Sequence, residues 1–146
     1  MTGSSDLFSL SGHTAVVVGG TSGIGRAIAL GLASAGADVV ATGRREDRVA
    51  AVATEIEALG RRSLRLACDV GDSSSLDGLR TACLAAFGAV DILVCAAGVT
   101  KRVPTLGMSD DDWQRIIDTN LTGTLRACRT FGAFMFGIED LKDYSL

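Results

Sequence analysis

Short β-branched or apolar runs alternate with helix-length stretches along this chain. Residues 14–18, 38–42, 63–68 and 90–95 read as strands, and 23–35, 46–59 and 73–87 read as helices. Such alternation predicts βαβ units and a parallel sheet, an α/β fold. Val16-Val17-Val18 and Ile92-Leu93-Val94 are unbroken apolar runs, as suits strands covered by helices on both faces. Gly36, Gly60 and Gly88 each follow a helical stretch where a left-handed cap is wanted, and Ser73 can cap the third helix. A fourth helical region starts at Ser109, carries Asp110, Asp111 and Asp112 in its first turn, and runs to about Met135. Within it Trp113, Ile116, Ile117, Asn120, Leu121, Thr124 and Leu125 recur at spacings of three and four, which predicts a stripe buried in the core or in an interface. The longest loop, 96–108, follows the fourth strand and holds Lys101, Arg102 and Pro104. Open α/β sheets place their ligands at loops of this kind.

Composition narrows the picture without changing it. At 146 residues and 47% hydrophobic content, with 18 glycines and 1 proline, the chain has the make-up of a single globular domain. The net charge of -3 argues against a nucleic-acid partner, which usually meets a basic face. Arginines cluster at 44, 45 and 48 and at 61, 62 and 65, but interspersed acids leave at most a local phosphate contact. Met1 to Asp6 lack the basic flank and apolar segment of a secretory signal, and no apolar run approaches the roughly 20 residues that cross a bilayer. These features predict a cytoplasmic protein with no membrane partner. Cys68, Cys83, Cys95 and Cys128 are widely spaced and fall in predicted strands or helices, so reduced, packed thiols are expected and no metal.

The candidate chemistry starts at Gly19-Gly20-Thr21-Ser22-Gly23-Ile24-Gly25, between the first strand and the first helix. Glycines there permit a tight turn, let backbone N–H groups approach a dinucleotide pyrophosphate, and leave the helix amino terminus aimed at it. The second strand ends in Gly43-Arg44-Arg45. An NAD site usually places an acid at that point to hold the ribose hydroxyls, whereas arginine accommodates a 2′-phosphate. The pair Arg44 and Arg45 therefore favours NADP over NAD as cofactor.

Five separated motifs stand in order: Leu10-Ser11-Gly12-His13, Val18 to Gly25, Cys68-Asp69-Val70, Asp91 through Cys95-Ala96-Ala97-Gly98, and Asn120-Leu121-Thr122-Gly123. In order and interval the chain resembles the short-chain dehydrogenase/reductase family over about residues 7 to 135. The resemblance implies a Rossmann-type doubly wound parallel sheet, here incomplete, with about four strands in the order 3-2-1-4. It also implies Gly19, Ser22, Gly23, Ile24 and Gly25 at the pyrophosphate turn, Thr21 and Arg44 at a 2′-phosphate, Asp69 and Val70 at the adenine, and Ala96, Ala97 and Gly98 along the ribose. Asn120 matches the asparagine of the family's catalytic tetrad. The implied reaction is hydride transfer between NADP(H) and a small-molecule carbonyl or secondary alcohol.

Three positions depart from the family pattern. Val18 stands where a threonine is usual, and Cys95 and Ala96 replace two asparagines. The family continues into a strand ending in a catalytic serine and a helix bearing Tyr-x-x-x-Lys, whereas this chain reads Phe136-Gly137-Ile138-Glu139-Asp140-Leu141-Lys142-Asp143-Tyr144-Ser145-Leu146. The expected organisation is a truncated cofactor-binding domain over 1–136 and a divergent tail over 137–146. Lys142 precedes Tyr144 by two residues, the wrong spacing for the pair. Bringing a tyrosine from a pKa of about 10 towards 7 needs about 4 kcal/mol from a neighbouring positive charge. Without a positioned acid or base a factor of about 10²–10⁴ in rate is lost, so the chain is expected hardly to turn over. The alternatives are a non-catalytic dinucleotide-binding or interaction module, and an unstable product with no function. An uncovered fourth strand and last helix would promote homo-oligomers or aggregation.

Overall fold

The computed structural model describes residues 6–137. Strands β1 (Thr14–Val18), β2 (Asp38–Thr42) and β3 (Ile92–Cys95) form a parallel sheet in the order β2-β1-β3. Val16 lies opposite Val40 on one side and Leu93 on the other. The five residues of β1 are all buried, as its central place and unbroken apolar run require. Successive side chains leave a strand on opposite faces, so β1 and β2 supply two cores at once. Val16, Val18 and Val40 meet α3 (Ser73–Phe87) and α5 (Gly123–Met135) through Leu76, Leu79, Cys83, Ala127 and Phe131. Ala15, Val17, Val39 and Ala41 meet α1 (Gly23–Ser34) and α2 (Glu46–Ala58) through Ala29, Ala33, Val52 and Ile56. The architecture is the expected α/β sandwich of helices about a parallel sheet.

The run 63–68 does not become a fourth strand. It lies beside β2, and Val39 N donating to Arg62 O (3.0 Å) and Cys68 N donating to Gly43 O (3.0 Å) fit one parallel register. Side chains take over groups that the ladder would use: the Thr42 hydroxyl donates to Leu66 O at 2.6 Å, and Arg62 N donates to the Asp38 carboxylate at 2.8 Å. Such side-chain bonds compete with sheet pairing. The segment still covers the core, with Leu64 and Leu66 packed against it.

Three further expectations are corrected. The N-cap of α3 is Asp72, whose carboxylate accepts from Ser74 N, because Asp72 is still extended while Ser73 is already helical. The fourth helical region is α4 (Asp110–Ile117) joined to α5 by a π turn over Asp118–Thr122. Of the two settings expected for its stripe, core or interface, the core is excluded for Trp113, Leu121 and Leu125, which are 58%, 65% and 50% exposed, because α5 turns Ala127 and Phe131 inward instead. Cys68 and Cys83 are buried as expected, but Cys95 and Cys128 are exposed; all four are free thiols. The left-handed cap at Gly88 is present at φ +81°, with its N–H donating to Leu84 O. Residues 138–146, including Lys142 and Tyr144, lie outside the described residues.

Burial, with a smaller contribution from Cys68, pushes the Cys83 thiol up to about 12. The unfolded chain gives up this proton from about pH 9, while the folded chain retains it, so folding stability falls as pH rises from about 9 towards about 12. Urea midpoints at pH 8 and pH 10.5 should differ more in the wild-type chain than in Cys83→Ala. An equal difference in both proteins would show that Cys83 does not carry the effect.

Candidate functional site

The carboxyl ends of the three strands open on a cleft of about 910 Å³. Backbone bonds join those ends: Gly19 N and Gly20 N both donate to Thr42 O at 2.9 Å, and Ala96 N donates to Val18 O at 2.8 Å. The last bond keeps the path from β3 into Ala96-Ala97-Gly98 although Cys95 and Ala96 replace asparagines. Val18, at the threonine position, is 1% exposed and part of the core.

The glycine turn is as tight as its composition implies. A Cβ on Gly19 would fall 2.6 Å from Ala97 Cα and overlap Ala97 N, and Gly19 also sits at φ +83°. A Cβ on Gly25 would lie 2.9 Å from the Gly19 carbonyl carbon and overlap its oxygen. Only hydrogen fits at either position, so α1 starts hard against the loop. Ser22, the N-cap of α1, is extended and makes no side-chain cap bond. The first-turn N–H groups of α1 are therefore available to an anion at the positive end of the helix dipole. This cradle and its helix terminus fit a pyrophosphate.

Every residue expected at the cofactor lines this one cleft: Gly19, Thr21, Ser22, Gly23, Ile24 and Gly25 from the turn, Arg44 and Arg45 after β2, Asp69 and Val70, and Ala96, Ala97 and Gly98 after β3. Ile24 stands 80% exposed at its mouth. Arg44 and Arg45 are exposed, and among the described residues neither has a carboxylate within ion-pair distance. Asp69 is the single acid of the lining, and its carboxylate is engaged by Gly71 N at 2.8 Å. Thr21 faces Gly43 so closely that a Cβ there would come to 2.9 Å from the threonine hydroxyl.

Asn120 occupies the π turn and reaches the site through the backbone of the loop after β3. Its Oδ1 accepts from Val99 N at 2.8 Å and its Nδ2 donates to Val99 O at 3.0 Å. The amide thus holds the Gly98-Val99 segment in place, and the neighbouring Thr119 is the π-turn residue that lines the cleft. The turn is itself braced: Arg126 pairs with Asp118 at 3.1 Å and donates to Val70 O at 3.3 Å, while a Cβ on Gly123 would fall 2.6 Å from Val70 Cγ2. Helix α5 therefore positions Val70 as well as Asn120. π turns inside α-helices are frequent at functional sites. Lys101 binds Asp112 at the start of α4, and with the Ser109 hydroxyl holds that carboxyl below the usual range.

The lining residues Val99 and Thr119 were not singled out from the sequence. Val99 and Thr119 adjoin the Ala-Ala-Gly motif and Asn120, which was the available signal. Among the described residues no helix is long and apolar enough to cross a membrane.

The short chain dehydrogenase family profile matches residues 13–140. A 3beta-hydroxysteroid dehydrogenase of Mediterraneibacter gnavus is 39% identical over 115 residues, which are 78% of this chain and 42% of that protein. A D-threitol dehydrogenase of Mycolicibacterium smegmatis is 37% identical over 128 residues, 88% of this chain and 49% of that protein. The crystal structure of L-sorbose reductase from Gluconobacter frateurii, complexed with NADPH and L-sorbose, superposes with a TM-score of 0.82 at 33% identity, covering 89% of this chain and 50% of that one. The chain spans about half the length of these relatives.

Proposed function

This chain belongs to the short-chain dehydrogenase/reductase family, and we propose that its cleft binds NADP(H) in preference to NAD(H). In this reading residues 1–136 are the cofactor-binding domain of an oxidoreductase that moves hydride between NADP(H) and a carbonyl or secondary alcohol. Gly19, Ser22, Gly23, Ile24 and Gly25 take the pyrophosphate, Asp69 and Val70 the adenine, and Ala96, Ala97 and Gly98 the ribose next to the nicotinamide. Asn120 positions that last segment through Val99. The bound cofactor supplies the hydride; these residues bind and orient it. No proton-transfer role is assigned to any of these residues. The uncovered face of Trp113, Leu121 and Leu125 is assigned to contacts between copies of the chain.

The observation that carries the cofactor preference is the end of β2, where Thr21, Arg44 and Arg45 line the cleft and Gly43-Arg44-Arg45 stands where an NAD site places its acid. Titration by nicotinamide fluorescence should find NADPH bound more tightly than NADH by roughly 10- to 100-fold, the scale of one or two charge-assisted bonds. Arg44→Asp should shift the preference towards NADH. Tighter NADH binding by the wild-type chain would overturn the assignment.

A further inference from the structure

A second cleft, of about 320 Å³, lies between the amino-terminal ends of α1 and α2. It shares Thr21, Ser22 and Gly23 with the first cleft, so the two are continuous across the glycine turn. Two arginines line it, and they are in different states. Arg26 is engaged by Glu55 through both carboxylate oxygens, with Nε to Oε1 at 3.2 Å, and its charge is matched locally. Arg48 is exposed, and among the described residues no carboxylate lies within ion-pair distance of it.

The position of Arg48 is poor for stability. It sits in the first turn of α2, where the helix dipole presents its positive end and a cation is unfavourable. Arg44 and Arg45 stand immediately before the same helix, so three guanidinium groups gather there against Glu46 and Asp47. A residue placed against the dipole, unpaired and facing a cleft that joins the cofactor turn, suits an anion that the chain does not itself supply.

We propose that Arg48 acts across this second cleft as a further cation for the 2′-phosphate of NADP(H), and is a specificity-determining residue alongside Arg44. The inference rests on the NADP(H) reading above and extends it to a residue outside the main cleft. Arg26 takes no part, because Glu55 holds it. The phosphate would be met from the end of β2 by Arg44 and from the first turn of α2 by Arg48, with Thr21 and Ser22 on the turn between them.

The test compares the full 146-residue chain with Arg48→Ala, Arg48→Lys and Arg44→Ala. Each protein is titrated with NADPH and NADH, and with 2′,5′-ADP and 5′-AMP as fragments that differ by the 2′-phosphate. Arg48→Ala should weaken NADPH and 2′,5′-ADP roughly tenfold, the loss of one charge-assisted contact, and leave NADH and 5′-AMP within about twofold. Arg48→Lys should recover part of the loss. The melting temperature of Arg48→Ala should be unchanged or slightly higher, since the residue opposes the helix dipole. An unchanged NADPH-to-NADH ratio in Arg48→Ala, together with its collapse in Arg44→Ala, would overturn the role of Arg48 and leave the NADP(H) reading standing. Equal loss of all four ligands in Arg48→Ala would mark a structural effect and also overturn it. Equal binding of NADPH and NADH by the wild-type chain, untouched by either substitution, would remove the underlying reading and this inference with it.

Discussion

Gly19→Ala is expected to destabilise the chain by about 2–5 kcal/mol and to abolish saturable NADPH binding. Two costs add at this position. The backbone is left-handed at φ +83°, which a side chain disfavours by about 1–2 kcal/mol. The new methyl would also overlap backbone atoms of Ala97, not the movable end of a side chain, and forced displacement in a packed region costs about 1–3 kcal/mol. Relief of that overlap must push apart the glycine turn and the loop after β3, which together form the cleft. Gly31→Ala is the control: Gly31 is exposed within α1 with open space around it, and alanine there should stabilise by about 0.5–1 kcal/mol. Urea unfolding and NADPH titration of both variants read the two effects. A Gly19→Ala chain within about 0.5 kcal/mol of wild type, the range of a neutral surface change, and with full affinity, would rule out this arrangement of turn and loop.

Phe131→Ala should lower stability by about 3–5 kcal/mol, the usual cost of truncating a fully buried phenylalanine. Phe131 is 0% exposed and joins α5 to Val16, Val18, Leu76 and Leu79. The same helix carries Arg126 and Gly123, which brace the π turn against Val70. Loosening α5 therefore reaches Asn120 and the Val99 backbone it holds, and cofactor affinity should fall along with stability. Thermal unfolding and NADPH titration test this. A loss below about 1 kcal/mol, less than any usual aromatic truncation in a core, would show that α5 is not docked on the sheet as described.

Much of the cofactor cleft was legible in the sequence because its parts are local. Glycine spacing between a strand and a helix predicts the turn, and the Arg44-Arg45 pair marks the end of β2, each within a few residues of chain. The motif Cys95-Ala96-Ala97-Gly98 was readable only through the family resemblance, and its backbone path survives because Ala96 N bonds to a carbonyl of β1, where side-chain identity hardly matters. Arg48 was seen only as one member of an arginine cluster. Its separation from Arg26 depends on Glu55, a carboxylate 29 residues away from its partner.

Periodicity and turn chemistry in the sequence determined the α/β alternation, the parallel sheet, and the glycine cradle between the first strand and the first helix. These follow from preferences that act over one strand or one helical turn. Tertiary structure alone decided that 63–68 would lie along β2 without completing its ladder, since the Thr42 hydroxyl reaches the Leu66 carbonyl across 24 residues of sequence. It also decided that the helical region after Ser109 would break into a π turn and that Asn120 would close on Val99, 21 residues away. The Thr42–Leu66 and Asn120–Val99 contacts are competitions among hydrogen-bond partners distant in sequence, settled only when folding brings them within about 3 Å.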